Sequence, residues 1–109
     1  MKSKYQKIKG TFDILPPETQ LWQEIEAIIH QTCQQFGFEE IRTPAVEFVN
    51  LFQENIGYET DVSKEMFGWE DQSGKQLALK PEMTAPVVRA YISSICFKKH
   101  PVCREYYID

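Results

Sequence analysis

The chain has 109 residues, 42% of them apolar and 13% aromatic, which is material for a modest core in one small domain or a piece of a larger one, and not the composition of a disordered chain. A net charge of −4 supplies no basic footprint for a nucleic acid. No apolar run is long enough for a membrane span or a secretory core, and the basic start from Met1 to Lys9 is too short and polar for an export signal, so a soluble cytoplasmic protein is expected.

In chain order, Pro16-Pro17 before Glu18 predicts a helix start, with proline in the first turn and an acid at the positive dipole end. Leu21, Trp22, Ile25, Ile28, Ile29, Thr32 or Cys33, and Phe36 recur at helical spacing and predict one apolar face. Gly37 supplies a left-handed stop. His30, beside this face, reads as an ordinary solvated or hydrogen-bonded helix residue. Residues 38–47 then read as a strand whose Pro44, unable to donate to a ladder, belongs at an edge, a bulge or a strand end.

Val49 to Asn55 predicts a short helix closed at Gly57. Glu65 to Trp69 and Gln76 to Leu79 predict two strands around a polar loop, Glu70 to Lys75, with Gly74 in it. A second amphipathic helix is expected from Thr84, with Pro86 in its first turn and Val88, Tyr91, Ile92 and Ile95 on one face. Val102 to Ile108 reads as a last strand. The three cysteines, Cys33, Cys96 and Cys103, are an odd number in a chain with no export signal, so reduced thiols are expected. Cys96, His100 and Cys103 make a Cys-x3-His-x2-Cys run. A structural zinc site wants four ligands in paired clusters, and the other candidates, His30 and Cys33, are far away in sequence, so no metal is expected.

The stretch with the most chemistry is Leu77-Ala-Leu-Lys-Pro-Glu-Met-Thr-Ala-Pro-Val-Val-Arg-Ala-Tyr91. A carboxylate, Glu82, and a hydroxyl, Thr84, stand two residues apart where a strand runs into a helix, and both can accept from one small cation such as an ammonium. The plainer reading of the same residues is a helix start, with Thr as an N-cap and Glu complementing the dipole. Arg89, on the helix that follows, reads as a surface or ion-pair arginine.

Three pieces in order, Lys9-Gly-Thr-Phe-Asp-Ile-Leu-Pro16, then Phe36-Gly-Phe-Glu-Glu-Ile-Arg-Thr-Pro-Ala-Val-Glu47, then the Lys80-Pro-Glu-Met-Thr84 stretch, together resemble histidyl-tRNA synthetases, which are class II aminoacyl-tRNA synthetases. Leu51-Phe52, Ile56-Gly57, Thr60-Asp61 and Lys64-Glu65-Met66-Phe67 extend the resemblance from about Lys9 to Asp109. It implies an α/β fold (α+β in stricter usage): part of a class II catalytic domain, a mostly antiparallel sheet with flanking helices. Residues 1–109 would then be an N-terminal fragment of that domain, with the first class II signature over about 18–47 and a histidine-binding segment over about 77–92. It further implies a homodimer whose interface includes Phe36, Ile41, Arg42, Pro44 and Glu47, and a histidine site lined by Glu82, Met83 and Thr84, with Glu82 accepting from the α-ammonium. The bland alternative for the strand is an edge blunted by proline against aggregation.

The family's reaction joins L-histidine to ATP, giving histidyl adenylate, and passes the aminoacyl group to tRNA(His). ATP and Mg2+ are expected as substrates of the complete enzyme and none bound to this fragment. The second and third signatures are not among these residues, so no catalytic residue is expected here and the fragment alone is expected to be inactive. Lys80 stands where the family usually has arginine, Met83 where glycine is common, and Asp109 where glycine is more frequent. The first keeps the charge and loses the bidentate fork; the second bears on backbone freedom. Two other readings share part of the pattern: the synthetase-like regulatory subunit of ATP phosphoribosyltransferase, and a stand-alone dimerisation module. With sheet edges and apolar surface left uncovered, the isolated chain is expected to be marginal or self-associated.

Overall fold

The computed structural model describes residues 3–57, 64–94 and 102–109. Thr60, Asp61, Ile95, Cys96 and His100, singled out by sequence, lie outside the described residues. The chain divides into two compact units, Met1–Phe38 with Ile108–Asp109, and Glu39–Tyr107.

The first unit is built on helix α1, Glu18–Gln35. The prolines do not enter its first turn as the sequence reading expected. Pro17 is the N-cap residue and Glu18 is the acid of the first turn, so the ring blocks extension backwards rather than pre-setting the helix. The other end follows the expectation from Gly37. That residue has φ +78°, the Phe38 amide donates to the Cys33 carbonyl at 2.9 Å, and the Gly37 amide donates to Gln34 at 3.0 Å. These two bonds are the Schellman pair that satisfies the last carbonyls of a helix. The apolar stripe is where periodicity put it, but no residue of α1 is buried, and Leu21, Trp22, Ile25, Ile28, Ile29 and Phe36 are all exposed.

The second unit holds two sheets. In one, β1 (Glu39–Glu40) pairs in parallel with β5 (Glu105–Tyr106). In the other, β2 (Val46–Phe48), β4 (Gln76–Leu79) and β3 (Gly68–Glu70) run antiparallel in the order β2-β4-β3. The single strand expected over 38–47 is therefore two. The chain pairs with β5 up to the Ile41 amide, which donates to Tyr106 at 2.9 Å, and joins β4 from the Ala45 carbonyl, which accepts from the Lys80 amide at 2.9 Å. Pro44 sits at the changeover, where its missing donor costs no ladder bond. β3 starts at Gly68 rather than Glu65, and Lys64 and Glu65 are helical instead. The last strand keeps only Glu105 and Tyr106 of the seven residues read as extended.

The β3–β4 loop is closed by side-chain chemistry. The Asp71 carboxylate accepts from the Ser73 amide at 2.9 Å, the Ser73 hydroxyl at 2.7 Å and the Lys75 amide at 2.9 Å, while Gly74 supplies φ +87°. This is a tight hairpin of the expected kind. The Lys75 amide first, and then Ser73, hold the Asp71 carboxyl below the ordinary carboxylate range.

Helix α2, Val49–Ile56, ends at Gly57 with φ 105°. It packs on β2, on β4 and on helix α3, Thr84–Ser93. The core of this unit is small: Phe52 of α2 and Ala78 of β4 are fully buried, as is Pro86 of α3. The face of α3 that periodicity marked is not the buried one. Val88 and Ile92 are exposed, and Pro86 leads the inward side.

Two outcomes are expected. Gly37→Ala places a Cβ in the left-handed region and should destabilise the α1 terminus by about 1 kcal/mol, read by chemical denaturation with helix circular dichroism. For Asp71, whose folded pKa is lowered, the stabilisation is present above the ordinary carboxylate range and is lost as pH falls through the folded value. Asp71→Asn should abolish that acid dependence in the hairpin's NMR shifts.

Candidate functional site

The segment from Lys80 to Arg89 is held on both flanks by residues 43–47. Before it, Leu79 pairs with Val46, the Lys80 amide reaches Ala45, and Lys80 Nζ donates to the Thr43 carbonyl at 3.2 Å and to Thr43 Oγ1 at 3.3 Å. A lysine suffices for these two point contacts, although the fork of an arginine is lost. After it, the Arg89 guanidinium donates to Glu47 Oε1 through Nε at 3.1 Å and Nη2 at 2.7 Å.

Between these anchors, Glu82 lies just before α3. One carboxylate oxygen accepts from the Thr84 amide at 2.7 Å, and the other from the Ala85 amide at 3.0 Å. The helix cap is thus Glu82, not Thr84. The N-cap position belongs to Met83, whose side chain makes no capping bond. The carboxylate spends two of its roughly four acceptor positions on the helix amides and keeps the others. Met83 has φ −104°, ordinary for any L-residue, so the methionine in a position where glycine is common carries no backbone strain.

Glu82 and Thr84 both line a cavity of about 450 Å3, together with Leu51 and Asn55 of α2 and Ala85, Val88, Arg89, Ile92 and Ser93 of α3. Leu51, Ala85, Val88 and Ile92 give it apolar wall, and Asn55, Glu82, Thr84, Arg89 and Ser93 add polar groups, a mixture found in small-molecule sites. Met83 is half-buried and is not among the lining residues.

The residues expected at a dimer contact fall in different settings. Phe36, Arg42 and Pro44 are exposed and Ile41 is half-buried. Arg42 donates to Glu40 at 2.8 Å, and that hydrogen bond first, then the carboxylate's charge, raises the pKa of its guanidinium. Glu47 is different: its side chain is only 8% exposed and is bonded to Arg89 of its own chain. Sequence reasoning expected Arg89 to be a surface or ion-pair arginine but did not find Glu47 as its partner. The signal was present in Val46-Glu47-Phe48, where strand alternation puts a carboxylate on the opposite face from two apolar side chains.

Among the described residues, no group of three or more His, Cys, Asp and Glu side chains is placed to hold a metal ion, and no helix is long and apolar enough to cross a membrane. Among the described residues, neither Cys33 nor Cys103 is in a disulfide.

The mixed helix-and-strand arrangement with its antiparallel sheet is that of part of a class II synthetase catalytic domain. The histidyl-tRNA synthetase of S. aureus matches it with a TM-score of 0.76 and 31% identity over 94% of this chain and 24% of that one. A protein described as an ATP phosphoribosyltransferase regulatory subunit/histidyl-tRNA synthetase from Bacillus halodurans matches with a TM-score of 0.77 and 27% identity, over 98% of this chain and 27% of that one. The family model for histidyl-tRNA synthetase covers residues 10–108. Histidine–tRNA ligases of Prosthecochloris aestuarii and Koribacter versatilis are 45% and 47% identical over 98% and 93% of this chain. The chain belongs to the histidyl-tRNA synthetase family. It spans about a quarter of the length of these curated relatives, 26% and 24% respectively.

Glu82→Ala removes the cap and should cost about 0.5–2 kcal/mol of local helix stability. Hydrogen exchange at the Thr84 and Ala85 amides is expected to quicken while the β3–β4 hairpin amides are unchanged.

Proposed function

We propose that this chain supplies the amino-acid-gripping part of a histidine–tRNA ligase, which activates L-histidine with ATP to the adenylate and transfers it to tRNA(His). The observation that carries this reading is the placement of Glu82 and Thr84 on one cavity at the start of α3, in a chain whose 45–47% identical relatives are described as histidine–tRNA ligases.

In this reading the α-ammonium of histidine binds the acceptor positions of Glu82 left over from the helix amides, and the Thr84 hydroxyl adds a second acceptor. Met83 acts through the backbone between them. Because the amides hold the carboxylate in place before the ligand arrives, little side-chain freedom is lost on binding. Gripping the ammonium fixes the carboxylate of histidine for attack on the α-phosphate of ATP. ATP with its Mg2+ is a substrate of the complete enzyme, and the residues that stabilise charge on the phosphate are assigned to parts of the family fold outside these 109 residues. The fragment by itself is therefore read as inactive in adenylation, and the complete protein as a cytoplasmic homodimer joined through the region of Phe36, Ile41, Arg42 and Pro44.

A second reading is favoured by the Bacillus halodurans match, whose description includes a regulatory subunit of ATP phosphoribosyltransferase. The higher identity to ligases places it second.

The test is a chimera in which residues 1–109 replace the matching quarter of a full-length ligase. Histidine-dependent ATP–pyrophosphate exchange is expected, and Glu82→Gln, which keeps an acceptor oxygen and removes the charge, should weaken histidine affinity about tenfold to a hundredfold. An unchanged histidine affinity removes Glu82 from the site. For the dimer, light scattering of the isolated chain should give twice the monomer mass, and a monomer at working concentration argues against this interface.

A further inference from the structure

The buried glutamate of β2 has a consequence for the site. In β2 the burial pattern is inverted: Val46 and Phe48 are exposed and Glu47 is buried. Directly across the ladder from Glu47 is Ala78, fully buried, and across from Ala78 is Gly68. That face is close-packed at Gly68, where a Cβ would meet the Leu77 carbonyl at 3.2 Å and Val49 Cγ2 at 3.7 Å. In the same row Glu47 is buried and bonded to the Arg89 guanidinium.

Its partner, Arg89, comes from one turn inside α3, four residues beyond Ala85, or about 6 Å along the axis. Both Arg89 contacts go to the same oxygen, Glu47 Oε1. Ala85 in turn donates to Glu82. Adjacent residues of β2 therefore fix the two flanks of the site: Val46 pairs with Leu79 just before Lys80, and Glu47 holds Arg89 just after Thr84.

We propose that Glu47 and Arg89 are a positioning pair for substrate binding. Together they set the height and rotation of the α3 N-terminus, and through it where Glu82 and Thr84, which grip the amino acid's ammonium, stand relative to Leu51 and Asn55 across the cavity. Arg89 borders the cavity and Glu47 does not, so Glu47 acts only through Arg89 and the helix, and its loss shows in amino-acid affinity and not in the binding of ATP. A pair that only supplied stability would have no such selectivity; the Glu47 side chain is buried while that of Arg89 is 35% exposed, and pairs with a buried charge are a weak source of stability that in some proteins fix one geometry.

The inference rests on the histidine-site reading, and the test separates the two. In the full-length chimera, KM for histidine and KM for ATP are measured by pyrophosphate exchange for Glu47→Gln, Arg89→Lys and Arg89→Met, with Glu82→Gln alongside. Glu47→Gln and Arg89→Met should raise KM for histidine about tenfold, the change expected from loosening one charged hydrogen bond, and leave KM for ATP within about twofold. Arg89→Lys should fall between, since it keeps the charge and loses the fork. KM does not depend on how much enzyme is folded. Lower melting temperature with unchanged KM for histidine, or an equal rise in both KM values, overturns the positioning role. Should Arg89→Met not fold, Glu47→Gln and Arg89→Lys carry the same comparison. If Glu82→Gln leaves KM for histidine unchanged, the site reading itself fails. If Glu82→Gln raises it and the pair variants do not, only the positioning role fails.

Discussion

A carboxylate turned into the interior of a small sheet constrains everything around it. An uncompensated buried charge costs several kcal/mol, more than a unit with so small a core can absorb. Glu47 at 9% exposure must therefore keep its guanidinium, and the helix that carries Arg89 must lie where that contact is possible. Once β2 has its register with β4, the position of α3 follows, and with it the loop from Lys80 to Met83. The apolar contribution is comparatively slight: Phe52, Ala78 and Pro86 are the fully buried side chains among the described residues of this unit.

The local elements were legible because their causes are local. Gly37 ends α1, Gly57 ends α2, and an Asp71–Gly74 loop joins two strands, each decided by residues within one turn of the event. That Glu82 and Thr84 border one cavity has the same local cause, since they are near neighbours in sequence. What sequence reasoning missed depends on partners far along the chain. The strand over 38–47 divides because its two ends pair with different strands, one parallel and one antiparallel. The Glu47–Arg89 bond spans 42 residues. The capping role at the helix start fell to Glu82 as well: pattern favours Thr84 as a cap, whereas the longer acid two residues earlier reaches two amides at once.

The first unit illustrates the other limit of periodicity. A 3.6-residue pattern locates an apolar face but says nothing of what covers it. In α1 the face is present and every residue is at least partly exposed. Its eighteen residues exceed the length at which an isolated helix is marginal, and its C-terminal Schellman bonds and Glu18 at the dipole end favour it further. Local terms therefore favour the helix without accounting for it alone, since most helix stability in proteins comes from packing, and its apolar stripe is exposed surface in a chain that spans about a quarter of its relatives' length.

In the proposed histidine site, Glu82 combines a structural role with a binding role in one side chain without conflict. A helix N-terminus attracts a carboxylate because its amides lack partners. An ammonium attracts it through full charge. The geometry satisfies the first with one lone pair on each oxygen, at 2.7 and 3.0 Å, and a carboxylate has about two more to offer. Capping thus spends part of the group's hydrogen-bonding capacity and immobilises the rest. A glutamate on a free loop would have to give up rotamer freedom at the moment of binding. Here the folding of α3 has already done so, and the position of α3 is itself set by the charge buried in β2.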